Sequence, residues 1–358
     1  MAMTGPWLLY GANGYTGELV ARLARAQGHR PILAGRSAAA VCAISEELGL
    51  ERRLFSLEEP GRIDDALAGM GLVLHCAGPF SRTSRPMADA CLRTRTHYLD
   101  LTGEVEVFEA LAARDAEARA FGVMLLPGCG FDVVPSDCLA VHLKRRLPGA
   151  RRLALAYGGF GRLSRGTATT AIERLGEGGL VRRGGVLARV PSAWKTRRID
   201  FGEGARTPSV TIPLGDLSAA WHSTGIPDIE LYFAAPPALR ALAVASRYVG
   251  PLLGSPAVKR LLTARVQAGA PGPTDVERRR GRAFVWGEVE DAEGRRAVSR
   301  LATPEGYTFT ARAALAVVGR VLAGRAPAGF QTPGKAYGPD FVLSIEGVTR
   351  TDDEGVRS

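Results

Sequence analysis

Short runs of uninterrupted apolar residues recur through the first 135 residues of this 358-residue chain, read as strands at 7–11, 31–35, 52–56, 72–77, 97–101 and 122–127. Segments read as helices separate them at 15–27, 38–48, 61–68, 84–94 and 106–120. A strand that is apolar at every position is buried on both faces. Strands that alternate with helices pair in parallel through right-handed crossovers. The pattern therefore predicts an α/β fold built on a doubly wound parallel sheet.

The first strand, Trp7-Leu-Leu-Tyr10, breaks into Gly11-Ala-Asn13-Gly14-Tyr15-Thr16-Gly17, which opens a helix. That geometry suits a nucleotide pyrophosphate, because a sharp turn exposes the N–H groups of a helix start to the anion. Gly11 makes the turn, Gly14 lets a phosphate approach the backbone, and Gly17 lets helix pack on strand. The spacing is GxxGxxG rather than GxGxxG. The second strand ends in Gly35-Arg36, and no acid stands between Glu18 and Glu46. An NAD-selective site holds an acid here for the ribose 2′-hydroxyl. A guanidinium instead grips a 2′-phosphate through charge-assisted bonds of roughly 1.5–3 kcal/mol. The sheet is thus expected to be Rossmann-type and the cofactor to be NADP(H).

Three more loops follow parallel strands at their carboxyl ends, where ligands of open α/β sheets bind. Ala77-Gly78-Pro79-Phe80 is expected to bring backbone against the cofactor. Tyr98-Leu-Asp100-Leu-Thr102-Gly-Glu104 places an acid in an apolar strand, which is costly unless the acid is hydrogen-bonded. Asp100 and Glu104 read equally as turn and helix caps or as cleft residues. In Gly128-Cys-Gly130-Phe-Asp132-Val-Val-Pro-Ser136-Asp137, the last two residues read as caps of a helix at 137–146, and Asp132 has no such role. The candidate catalytic residues are Asp132, Tyr98 and Asp100. Tyr157 and His222 are further candidate proton donors. Cys129 lacks a nearby histidine to activate it as a nucleophile.

Beyond residue 140 the alternation gives way to strands between Gly/Pro turns, at Leu153–Tyr157, Gly184–Val190, Thr196–Phe201, Ser209–Pro213 and Ile229–Ala234, with a helix near Thr167–Leu175. An apolar helical stretch at Pro237–Arg265, a hairpin at 282–302 and an amphipathic helix at Tyr307–Leu322 follow. The expected organisation is a nucleotide-binding domain at 1–140 and an inserted α+β substrate domain at 141–305. A C-terminal helix and tail at 306–340 would return to the first domain. The formal charge of +10 comes almost wholly from scattered arginines without interleaved aromatics, so no nucleic acid is expected. The five cysteines show no metal-ligand spacing, and no histidine spacing or catalytic elbow suggests a metal or a serine nucleophile. With no apolar run of membrane-spanning length and no room for a signal peptide, a cytoplasmic location is expected.

Gly11-Ala-Asn-Gly-Tyr-Thr-Gly17, Leu33-Ala-Gly-Arg36, Ala77-Gly-Pro-Phe80, His97-Tyr-Leu-Asp-Leu-Thr-Gly-Glu104 and Gly130-Phe-Asp-Val-Val-Pro-Ser-Asp137 together resemble the saccharopine dehydrogenase-like oxidoreductases, within them the trans-acting enoyl reductases. Gly329-Phe-Gln-Thr-Pro333 looks like the same family's ending, and the middle domain resembles it loosely. The resemblance implies an NADPH-dependent enoyl reductase acting on an acyl, polyketide or lipid-like substrate in the cleft between the domains. It also implies a polyketide or lipid synthase partner. Two alternatives stay open: a saccharopine-type C–N oxidoreductase or imine reductase, and a non-catalytic NADP-binding protein associated with lipid. Residues 237–265 read equally as core, substrate tunnel or peripheral membrane contact.

Overall fold

A computed structural model describes residues 5–159, 161–202, 204–235 and 237–353. The chain begins β1 (Trp7–Tyr10), α1 (Tyr15–Ala26), β2 (Ile32–Gly35), α2 (Ala38–Leu48), β3 (Arg52–Leu54), α3 (Pro60–Leu67), β4 (Leu72–His75) and α4 (Phe80–Thr94). It continues with β5 (His97–Asp100), α5 (Val105–Ala112), α6 (Asp115–Phe121), β6 (Met124–Leu126), α7 (Val134–Arg146), β7 (Arg152–Gly158) and α8 (Arg165–Glu173). Next come β8 (Gly179–Arg183), β9 (Val186–Val190), β10 (Thr196–Asp200), β11 (Arg206–Thr211), α9 (Asp216–Thr224), β12 (Asp228–Phe233), α10 (Pro237–Leu253), α11 (Pro256–Ala268) and α12 (Asp275–Arg280). Then follow β13 (Arg282–Glu290), β14 (Arg296–Pro304), α13 (Gly306–Leu322), β15 (Gly329–Phe330), α14 (Pro333–Tyr337) and β16 (Thr349–Asp352). Two compact units result: residues up to Val134 with Tyr307–Ala336, and Pro135–Gly306 with the residues from Tyr337 on. The tail expected to stay with the first unit to residue 340 therefore divides at Ala336, and β16 joins the second sheet.

In the first unit the sheet order is β15-β6-β5-β4-β1-β2-β3, parallel throughout. This is the doubly wound order with a seventh strand, and its direction of growth reverses between β4 and β1. Every residue of β1, β2, β4 and β5 is buried, as their continuous apolar runs require. The helix expected at 106–120 is two helices. Arg114 reaches out to Asp89 and Glu117, and the Asp115 carboxylate accepts the Phe330 N–H at 2.7 Å, so both residues serve other elements at the break.

The second unit is a mixed sheet, β10-β11-β12-β7-β13-β14-β16, with the β8–β9 hairpin attached through β12. β7 and β12 pair in parallel and their neighbours run antiparallel. The single strand expected at Gly184–Val190 is instead the turn and second arm of that hairpin. Gly184 (φ +54°) and Gly185 (φ +82°) form its two-residue loop, and both are left-handed, as a type I′ turn requires. The helix expected at 137–146 starts at Val134, so Ser136 and Asp137 sit inside its first turn. Ser136 and Tyr157 both donate their hydroxyls to the buried Asp216 carboxylate, Tyr157 at 2.6 Å. This ties α7, β7 and α9 together. Among the described residues no helix is long and apolar enough to cross a membrane.

One core side chain runs against the usual rule for buried polar groups. His75, last in β4, is 0% exposed, and neither ring nitrogen has a hydrogen-bond partner among the described residues. Its ring sits 5.5 Å from that of Tyr10, 5.3 Å from Phe80 and 6.3 Å from Tyr98. Burial pushes its pKa down to about 3, so the folded chain holds it neutral. An unfolded chain protonates the imidazole below its ordinary value of 6.5. Stability contributed above pH 6.5 is therefore lost as pH falls toward 3, at up to about 1.4 kcal/mol per pH unit. Replacing His75 with Phe keeps a ring in the aromatic cage and removes the orphaned nitrogens. Urea titrations should show a gain of about 1 kcal/mol at neutral pH and a flatter loss in acid. An acid-side slope identical to that of the unaltered protein would place the sensitivity elsewhere.

Candidate functional site

The turn after β1 is held open by glycines. Gly11 has φ +82°, and a Cβ there would lie 2.9 Å from both the N and the Cβ of Ala77, in the loop after β4. A Cβ on Gly17 would lie 2.1 Å from the Gly11 carbonyl oxygen, so α1 presses directly on the turn. The Gly11 and Ala12 N–H groups donate to Ala34 O at 2.8 and 3.2 Å, stapling the turn to β2. Gly14 differs. It is exposed and extended (φ −82°, ψ 159°), and as a glycine it has no side chain of its own to cap the helix that follows. Asn13 is exposed, and its Oδ1 lies 2.9 Å from where a Cβ on Gly35 would stand, with Val41 Cγ2 at 3.0 Å, so a larger residue at the end of β2 would displace both side chains. Arg36 follows, exposed, with no hydrogen bond or ion pair among the described residues.

In the loop after β4, Gly78 is exposed, Ala77 and Pro79 are half-buried, and the Gly78–Pro79 peptide is cis. The Thr83 hydroxyl donates to Ala77 O at 2.7 Å and to Pro79 O at 3.1 Å, fixing the loop to α4. Phe80 does not join its neighbours as expected. Its ring turns inward onto His75, and its N–H donates to Glu104 Oε1 at 2.7 Å. Ser81 N–H donates to Glu104 Oε2 at 2.8 Å. Glu104, itself the N-cap of α5, thus caps α4 with its side chain. The same bonds explain why α4 begins at Phe80 rather than at the expected 84.

Tyr98 and Asp100 also lie elsewhere than a reacting position. Both are fully buried. Asp100 Oδ2 accepts the Tyr98 hydroxyl at 2.6 Å, and Oδ1 accepts the Thr102 and Gly128 N–H groups, each at 2.9 Å. Its backbone carbonyl takes the Cys129 N–H at 2.7 Å. Burial pushes the Asp100 pKa up to about 6 against the pull of these bonds, and burial and the Asp100 charge raise that of Tyr98 far above its usual value. With these oxygens engaged inside the sheet, the pair fastens the loops after β5 and β6. The buried Cys129 thiol is likewise held well above its ordinary pKa by burial, so it stays protonated.

Asp132 is half-buried in the loop after β6 and packs against Gly103, where an added Cβ would meet its Oδ2 at 3.1 Å. Burial pushes its pKa up to about 6. The C-terminal helix α13 braces this loop through Thr310, whose hydroxyl accepts the Phe131 N–H at 3.0 Å. From the same helix, Tyr307 meets Tyr15 of the glycine turn edge-on at 5.1 Å between ring centres. Thr16 is half-buried in the first turn of α1. Tyr307 and Thr310 carry no local signal that would have assigned them to the site. The other two candidate donors, Tyr157 and His222, both lie in the second unit.

The turn fits a dinucleotide: its close contacts exclude side chains at Gly11 and Gly17 and leave Gly14 open at the start of α1. Comparison with known proteins agrees. Residues 7–126 match the family model of the saccharopine dehydrogenase NADP binding domain. A trans-acting enoyl reductase of Mycobacterium leprae is 36% identical over 149 residues, covering 39% of this chain and 35% of the relative. One of Mycobacterium ulcerans is 31% identical over 147 residues, covering 39% and 35%. The chain thus spans about a third of the length of the curated relatives it matches. The apo saccharopine dehydrogenase (L-Glu forming) of Saccharomyces cerevisiae shares the fold over 98% of this chain and 100% of its own, with a TM-score of 0.67 at 13% identity. Residues 7–126, about a third of the chain, are thus similar to the saccharopine dehydrogenase NADP binding domain, in agreement with the glycine turn.

Proposed function

We propose that this protein is an NADPH-dependent oxidoreductase that reduces a carbon–carbon double bond in an acyl, polyketide or lipid-like substrate. The observation that carries the cofactor is the glycine-lined turn at the sheet's reversal point, with the unpaired Arg36 at the end of the neighbouring strand. The reaction class rests on the enoyl reductase relatives, whose likeness covers about two-fifths of this chain. In this reading Gly14, Tyr15 and Thr16 cradle the pyrophosphate, and Arg36 holds the 2′-phosphate. Ala77, Gly78 and Pro79 line the nicotinamide side. NADPH, when bound, supplies the hydride.

Reduction of an enoyl group also consumes a proton. Asp132 is suited to hold it, because burial keeps its carboxyl protonated to about pH 6. Tyr98 and Asp100 act at one remove, by holding the loop that carries it. The partner in this reading is a polyketide or lipid synthase that presents the acyl chain.

The cofactor assignment is tested by Arg36→Ala. Fluorescence titration should show NADPH affinity falling about tenfold or more, with NADH affinity nearly unchanged. Equal loss for both nucleotides would remove the 2′-phosphate role. The proton assignment is tested by stopped-flow oxidation of NADPH with an enoyl thioester. Asp132→Asn should lower kcat by about a hundredfold or more with NADPH affinity retained. Because the working form is the protonated one, the rate in the unaltered protein should decline as pH rises through about 6, and that limb should vanish in the variant. NADPH oxidation driven by an imine but not by any enoyl thioester would move the protein to carbon–nitrogen chemistry.

A further inference from the structure

No acid occurs between Glu230 and Asp275, while the same stretch contains Arg240, Arg247, Lys259, Arg260 and Arg265. It folds into α10 and α11 of the second unit. Helix α11 turns Val258, Leu262 and Val266, all half-buried, to one side, and none of its residues is fully buried. Its exposed surface presents Leu261, 71% exposed, flanked by the exposed Arg260 and Arg265. On α10, Tyr248 is 83% exposed and Val244, one turn earlier, 37%. Two of the cations are occupied: Arg247 donates to the Ser192 and Ala193 carbonyls, and Lys259 to that of Glu173. Arg240, Arg260 and Arg265 have no hydrogen bond or ion pair among the described residues.

Large apolar side chains standing in water beside cations that lack counter-charges match one kind of surface. A helix lying in a lipid interface puts aromatic and aliphatic residues into the headgroup layer and arginines against phosphates. Basic residues held near such a surface are attracted to anionic lipid. A folded protein partner imposes charge position by position. A lipid surface imposes a uniform field that disfavours every carboxylate, which fits the loss of acids from the whole stretch. Neither helix is long and apolar enough to span the membrane, so the fit is to its surface.

We propose that α10 and α11 form a docking face for an anionic lipid bilayer, with Val244, Tyr248 and Leu261 entering the interface and Arg240, Arg260 and Arg265 meeting lipid phosphates. The proposal stands apart from the reductase reading, since it is read without turnover.

The test is sedimentation of the full chain with vesicles of phosphatidylcholine, alone or with about one-third phosphatidylglycerol, at low and high salt. Binding should be at least about tenfold tighter to the anionic vesicles and should be lost at high salt. The double variant Arg260→Glu with Arg265→Glu should lose about tenfold or more, and Tyr248→Ser with Leu261→Ser should weaken binding while leaving its salt dependence. All four positions are exposed, and an unchanged melting curve confirms that each variant folds. Equal binding to both vesicle types, no binding to either, or full binding by the arginine variant would overturn the proposal. So would capture of a purified acidic carrier protein through the same arginines with vesicles ignored.

Discussion

The Asp100 carboxylate holds together the end of the sheet where the loops after β5 and β6 leave it. Neither loop has secondary structure of its own to keep it in place. Asp100 joins them through the Thr102 and Gly128 N–H groups, while its backbone carbonyl adds the Cys129 N–H. An acid buried in an apolar strand is expensive, and each bond to an ionised oxygen offsets part of that cost. Removing one partner would leave the rest of the desolvation penalty unmatched. The position of Asp132, a few residues beyond Gly128, is thus set by a residue that does not itself face the reacting groups.

A second carboxylate decides where a phosphate can sit. Two helices, α1 and α4, start on either side of the point where the sheet reverses, and each helix start attracts anions. Glu104 already occupies the start of α4 through the Phe80 and Ser81 N–H groups, so a phosphate there would meet a negative charge and find its donors taken. The start of α1 is preceded by Gly14, which has no side chain of its own. In the proposed reading the pyrophosphate therefore takes the start of α1, and Arg36, at the end of β2, meets the 2′-phosphate.

How far the sequence could be read depended on whether a residue's role was local. Gly11, Gly14 and Gly17 were legible because the turn they make spans only themselves, and Arg36 because its place is counted from that turn. Asp100 was visible as an anomaly but not as a fastener, since two of its bonds go to Gly128 and Cys129 on the next loop. Tyr15 and Tyr307 meet only after the chain has passed through the entire second unit. The doubled glycine at 184–185 was a hairpin signal hidden inside an apparent strand. β16 gave no signal at all, because Thr349–Asp352 is a polar edge strand with no buried residue to mark an alternation. The break between α5 and α6 depended on Asp115 reaching Phe330, far along the chain.

Charge had to be read by segment rather than by chain. Averaged over the whole sequence, a formal +10 looks like arginines scattered by composition alone. The stretch between Glu230 and Asp275 carries five basic residues and no acid to offset them. Elsewhere in the second unit many of the basic residues are matched locally: Arg197 with Glu288, Arg152 and Arg296 with Glu290, Arg183 and Lys195 with Glu230, Arg300 with Asp353. Those pairs lie along strands, where a carboxylate on a neighbouring strand is always within reach. On α10 and α11 the sequence supplies no such carboxylate over two successive helices. The imbalance there is a property of a surface, the one proposed to meet anionic lipid.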